Sequence, residues 1–224
     1  MKTFVDWCRQ NFLVFSVDQV NDLGILLDAK LTFNLHRSAV ISKAIRQLGF
    51  ITKIARVFKD PHCLKTLYCS LVRPLIENAS LIWCPHQLVW SLRIERVQKR
   101  FLRFALRDLP WRDPVNFPPY PDRCRLLGLD TLERRRKIQQ AVFPAKLMNN
   151  ETDSPKTLSM LNFRASQRTL RSTGLLQRNY HRTVFGCNEP MTACIRTFSV
   201  VENLFEFGEP TLMFKRRLNN TSLL

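Results

Sequence analysis

Hydrophobic and polar positions change rhythm several times along this chain. Residues 17 to 35, VDQVNDLGILLDAKLTFNL, hold two short apolar runs around Asp28-Ala29-Lys30, a pattern that fits a short β-hairpin. From Ser38 to Phe58 the period becomes helical. At about 100° per residue, Val40, Ala44, Leu48, Ile51, Ala55 and Phe58 share one arc. Lys43, Arg46, Lys53 and Arg56 share another, roughly 140° wide. Asp60-Pro61 predicts the end of this helix and the opening of the next, because proline suits a first helical position and breaks an interior one.

The second helical stretch, His62 to Trp83, contains Pro74, and a kink or break is expected there. The third, Val89 to Arg107, is the most regular. Trp90, Ile94, Val97, Phe101 and Phe104 form its apolar stripe. Arg93, Arg96, Arg100, Arg103 and Arg107 run beside it at spacings of three and four, within an arc of about 80°. Residues 110 to 121, PWRDPVNFPPYP, read as a loop. Asp130 with Glu133 reads as a capping box opening a basic helix, LERRRKIQQAVFPAKLM, which Pro144 is expected to interrupt late. NNETDSPKT reads as a linker, and residues 156 to 224 are less periodic, with a basic run from Arg164 to Arg182. The predicted fold is mainly α: a helical bundle preceded by a small β-hairpin.

Composition narrows the functional classes. The chain has 224 residues, 45 % of them apolar, enough for one sizeable core and a smaller appended unit. Six glycines argue against a loop-rich all-β fold. A net charge of +17 favours polyanionic partners, nucleic acid first and acidic membrane second. The seven cysteines include no C-x-x-C pair, which fits free thiols in a reducing compartment better than zinc. The N-terminal apolar run is interrupted by Asp6 and Arg9, which is poor for a signal peptide, and no stretch approaches a membrane span. The expected location is intracellular, in cytoplasm and nucleus.

Candidate chemistry is sparse. The ten aspartates include no Asp-Asp pair, and Asp22 and Asp28 beside the hairpin strand fit turn and cap roles. His36, His62, His86 and His181 have no Ser or Cys nearby in an elbow-like setting, and no glycine-rich phosphate loop occurs. No catalytic or metal-binding residue is therefore expected. The basic arcs remain: Lys43, Arg46, Lys53 and Arg56, and Arg93, Arg96, Arg100, Arg103 and Arg107. Guanidinium groups match phosphate oxygens bidentately, and such contact is independent of base sequence and weakened by salt. A solvated charged face is the plainer use of the same residues. A membrane-surface helix is a weaker reading, because the apolar stripes are committed to packing between helices.

The chain also resembles a known family. The run V-x-D-L-G-I-x-L-D-x-K-L-T-F, Val20 to Phe33, resembles the segment closing the palm of jockey-type non-LTR retrotransposon reverse transcriptases. LGFI, LKTLYCSLVRPLIENASLIWCP, IERVQKRFLRF and YPDRCRLLGLDTLERRR follow in the same order. LNFRASQRTLRS, GCNEPMTACIRTF and FKRRLNN resemble the family's C-terminal region. The resemblance implies three parts: a palm remnant over 1–35, a helical thumb-like domain over 36–150 and a basic C-terminal region over 151–224. It implies contact with RNA and RNA/DNA hybrid through the phosphate backbone, with the basic arcs above as the gripping residues. WCRQN, Trp7 to Asn11, resembles a palm segment downstream of the family's aromatic-Ala-Asp-Asp motif, and the next palm segment is missing. Pro144, where the family pattern has an ordinary helix former, points the same way, toward a degenerate copy. The chain is thus expected to lack the fingers, most of the palm and the endonuclease. It is expected to hold no cofactor, Mg²⁺ belonging to the full-length enzyme, and to be inactive alone. The alternatives are a non-enzymatic nucleic-acid-binding protein and a non-functional relic of a transposable element.

Overall fold

The computed structural model describes residues 19–58, 60–108, 118–164, 174–177, 180–221 and 223. Strands β1 (Gln19–Asp22) and β2 (Ile25–Asp28) pair antiparallel, with Asp22 opposite Ile25. The connecting turn is therefore Leu23-Gly24, not the expected Asp28-Ala29-Lys30. Both turn residues have positive φ, 47° and 85°, as the primed turns favoured by twisted hairpins require. Leu23 misleads because it is apolar yet stands 92 % exposed at the turn tip. Asp28 makes the next bend: its carboxylate accepts from the Thr32 amide at 2.6 Å and from the Thr32 hydroxyl. The turn role expected of Asp28 is thus seen.

Helix α1 (Asn34–Ile54) begins and ends four residues before the expected span. Its inner face is the expected one, with Ala44, Leu48, Ile51 and Ala55 buried, though Phe58 is exposed. The Asp60 side chain accepts from the amides of His62 and Cys63 and opens α2 (Pro61–Leu71), with proline in the first turn. The break expected at Pro74 is real. Val72 separates α2 from α3 (Arg73–Glu77), where Pro74 takes a first-turn position. Ala79, at φ 49°, turns the chain into α4 (Ser80–Trp83).

Helix α5 (Leu88–Ala105) buries Ile94, Val97, Phe101, Leu102 and Ala105. Glu95 and Gln98 are buried too, so the inner face is rotated from the expected stripe, and Trp90 and Phe104 sit at its margin. The Tyr68 and Phe101 rings stack at 4.2 Å in the middle of this first core. Two arginines show that α1 and α5 run parallel. Arg37, at the start of α1, donates to the carbonyls of Trp83 and Cys84 just before α5. Arg107, just past α5, donates to the carbonyls of Arg56 and Phe58 just past α1.

Most of the proline-rich loop lies outside the described residues, as do the first 18 residues and most of the basic run 164–182. The loop is shorter than expected, because α6 (Tyr120–Leu126) already begins at Tyr120. It ends in a Schellman turn: Leu129 N–H reaches Cys124 O, Gly128 N–H reaches Arg125 O, and Gly128 takes the left-handed conformation. Helix α7 (Leu132–Met148) is capped by Thr131, whose hydroxyl accepts from the Arg134 amide at 3.2 Å. The expected Asp130–Glu133 box is thus displaced by one residue. Pro144 does not interrupt α7 but sits buried inside it.

Helix α7 joins two cores. Leu132 belongs to the first, and Ile138, Ala141, Ala145 and Leu147 belong to a second. The second core is completed by α10 (Pro190–Val201) and α11 (Thr211–Asn220), around Phe198 and Phe214. Both are regular helices in the stretch read as less periodic. Two single-turn helices, α8 (Pro155–Leu158) and α9 (Val184–Cys187), lie between. Residues before and after position 150 share this second core, whereas α1 starts close to the expected 35/36 division. The described residues are mainly helical with one small hairpin, and none of their helices is long and apolar enough to cross a membrane.

Candidate nucleic-acid interface

The inner face of α5 fixes where its arginines go. With Ile94, Val97, Phe101 and Leu102 buried, Arg93, Arg96, Arg100 and Arg103 are left exposed along one edge. Ten residues of helix place the outer two about 15 Å apart. Among the described residues no carboxylate lies within 4.0 Å of any of the four. Like charges at three- and four-residue spacing oppose the helix by roughly 0.2–0.5 kcal/mol per pair. The ridge therefore costs about 1 kcal/mol, which a polyanion would relieve. Arg93 lies over the Trp90 ring at 4.9 Å, which steadies one end of the row.

Arg107, the fifth member of the predicted stripe, is mostly withdrawn. Its guanidinium stacks over Phe104 at 4.3 Å and donates to two carbonyls at 2.9 and 3.0 Å. There it meets the negative end of the α1 dipole and fastens α5 to α1. Position on a helical wheel does not reveal this, because the acceptors come from a distant part of the chain.

Lys43, Arg46, Lys53 and Arg56 are all exposed, as their arc implies. Lys43 and Arg46 line a groove of about 520 Å³ with Gly24, Leu26 and Pro74, and no residue of α5 contributes to it. Arg56 follows α1 at the end that Arg107 grips.

Two flanking residues were missed. Lys99 lies over the Tyr120 ring at 5.0 Å, beside the ridge. Arg123 on α6 sits close enough to Arg103 for the two positive charges to oppose one another. Burial first, then Arg103, lowers the Arg123 pKa, though an arginine stays charged. The basic spelling of YPDRCR carries that signal, but the sequence predicts no helix over residues 122 to 129 to bring it to α5.

A buried polar network holds the ridge helix in place. Gln98 Oε1 accepts from the Tyr68 hydroxyl at 3.1 Å, and its Nε2 donates to Asp130 O at 2.8 Å and the Tyr120 hydroxyl at 3.1 Å. The Tyr120 hydroxyl donates to Glu95, whose other oxygen accepts the Glu133 amide at 2.6 Å. Glu95 thus sits at the positive end of α7. Burial, reinforced by Glu95, pushes the Tyr120 hydroxyl far above its ordinary value, so it remains a donor.

Much of the remaining positive charge is also structural. Arg134 donates to the carbonyls of Leu218, Asn219 and Thr221 and closes the end of α11. Arg135 pairs with Glu77, and Arg217 with Glu209 at 2.7 Å. Among the described residues no group of three or more His, Cys, Asp or Glu side chains is placed to hold a metal ion. The row of outward guanidinium groups can hold phosphate oxygens and performs no bond chemistry. No family model, curated protein or solved structure matches the chain.

Proposed function

We propose that the chain is the C-terminal part of a jockey-type non-LTR retrotransposon reverse transcriptase and that its helical unit grips the template–primer backbone. The supporting observation is the exposed row Arg93, Arg96, Arg100 and Arg103 on a helix whose other face is locked into a core. Each strand carries one phosphate per about 3.4 Å of duplex axis, so a row about 15 Å long laid along that axis spans roughly four of them. Contact of this kind positions a duplex without reading its bases. The ordered sequence blocks supply the family reading; the arginine row supplies the physical role. Mg²⁺-dependent nucleotide addition belongs to the fingers and palm of such an enzyme, so the chain alone binds and does not polymerise.

The test uses two RNA/DNA hybrids of equal length and unrelated sequence. Both should bind with similar affinity, and the affinity should fall steeply as salt rises. Failure to bind at low salt, or strong preference for one hybrid, contradicts the proposal. Specific primer extension by this chain with Mg²⁺ and deoxynucleotides contradicts the assignment of the chemistry elsewhere.

A further inference from the structure

The β-hairpin is fastened to the helices by little. Within residues 19–28 only Ile25 is buried. In an antiparallel ladder, hydrogen-bonded and non-bonded pairs alternate, and the Asp22–Ile25 pair closes the two-residue turn. Leu26, the next residue, therefore turns its N–H away from β1, toward the free edge of β2. His36 takes up that edge donor: its Nδ1 accepts the Leu26 N–H at 3.2 Å. His36 stands in the first turn of α1, 4 % exposed, with its ring edge-to-face with Trp83 at a centroid distance of 5.4 Å. A ring nitrogen that accepts carries no proton, so the imidazole is neutral, with its hydrogen on Nε2.

Every neighbour opposes the protonated form. A proton on Nδ1 would point at the Leu26 N–H, donor against donor. On α1 itself, Arg37 is adjacent and Lys43 and Arg46 line the same groove, all positive. The first turn of α1 is also the positive end of its dipole. From β2, the Asp28 carboxylate is engaged by Thr32 and acts on Arg37. Pro74 and Leu75 of α3, Asn78 just past it and Trp83 of α4 bring no charge. Burial first, then Arg37, lowers the His36 pKa below its ordinary 6.5. With the hairpin undocked and the ring in water, the ordinary value returns. Docking is therefore full above 6.5 and is lost as pH falls from there through the lowered value of the docked ring.

We infer that His36 is a pH-sensitive latch: neutral, it holds β2 on α1 through the Leu26 amide, and protonated, it releases the hairpin. The latch is independent of the arginine ridge and of what the ridge binds. The thin attachment of the hairpin gives one hydrogen bond its weight, because a local opening needs to break few other contacts.

Amide hydrogen exchange of the full chain, followed by NMR at pH 7.5 and pH 5 and corrected for the intrinsic rate, tests it. The Leu26 amide points away from β1, so its protection reports docking alone. That protection should fall by about tenfold at pH 5, while Ile195 in the second core keeps its own. His36→Asn places an amide oxygen where Nδ1 stands and does not titrate, so Leu26 should stay protected at both pH values. His36→Phe keeps a ring beside Trp83 but accepts nothing, so Leu26 should exchange fast at both. In the parent, the loss of Leu26 protection should track the titration of the His36 ring nitrogens, a comparison that needs no variant. Equal Leu26 protection at pH 7.5 and pH 5, a pH dependence that survives in His36→Asn, full protection in His36→Phe, or a loss that does not follow the His36 titration would overturn the latch.

Discussion

At the scale of single residues, the chain sorts one side-chain type into two uses. Arg37, Arg107, Arg134, Arg135 and Arg217 turn inward or sideways onto carbonyls and carboxylates and fasten elements together. Arg93, Arg96, Arg100 and Arg103 turn outward without acidic partners among the described residues. A net charge of +17 therefore overstates the charge free to meet a ligand. The same scale exposes Gln98, 1 % exposed and bonded to three elements at once. Gln98→Leu keeps the approximate volume and leaves the Tyr68 hydroxyl and Asp130 carbonyl unpaired. It should lower unfolding stability by about 2 kcal/mol, measured by urea titration. A loss below about 0.5 kcal/mol would mean that these groups find water or other partners.

At the scale of elements, the helices with an apolar stripe and local stop signals were legible. Asp60-Pro61 ends one helix and caps the next, and Pro74 breaks a helix, because both effects act within a single turn. Glu95 and Gln98 were not legible as buried residues, since their partners lie on α2, α6 and the start of α7. Helices α10 and α11 escaped because their inward faces are written in Cys, Thr, Ala and Met as well as Phe, which blurs the period. The α5 arginine row was legible except for Arg107, whose role depends on long-range packing.

The docking of α11 carries a pH dependence. The Glu151 carboxylate accepts the Thr211 amide at 3.0 Å, at the first residue of α11. The Thr211 side chain first, and then this amide, holds the Glu151 pKa below its ordinary 4.5 by hydrogen bonding. A depressed folded value means the contribution is full above 4.5 and is lost as pH falls through the lower value. Glu151→Ala should therefore melt at a lower temperature than the parent at pH 7, and the gap should close on acidification below the carboxylate range. A gap that persists in acid would assign the effect to packing rather than to the charge.

At the scale of the whole molecule, two cores share α7, and the ridge belongs to the first. The network of Glu95, Gln98 and Tyr120 ties the ridge helix to the start of α7, so the arginine row is presented on a fixed support. The outer surface also carries exposed apolar groups, among them Phe50 and Ile54 of α1 and Val57 just past it. Net charge alone attracts polyanions at long range, so any test of the ridge has to separate position from total charge.

The most direct measurement compares two triple charge reversals with equal net charge. One replaces Arg96, Arg100 and Arg103 with Glu; the other replaces Lys156, Lys215 and Arg216, exposed residues outside α5. Binding of an RNA/DNA hybrid is titrated against salt for both and for the parent. The ridge variant should bind at least about tenfold more weakly than the control, with a log–log salt slope shallower by roughly three. Equal losses in the two variants would show that total charge, and not the α5 ridge, governs the interaction.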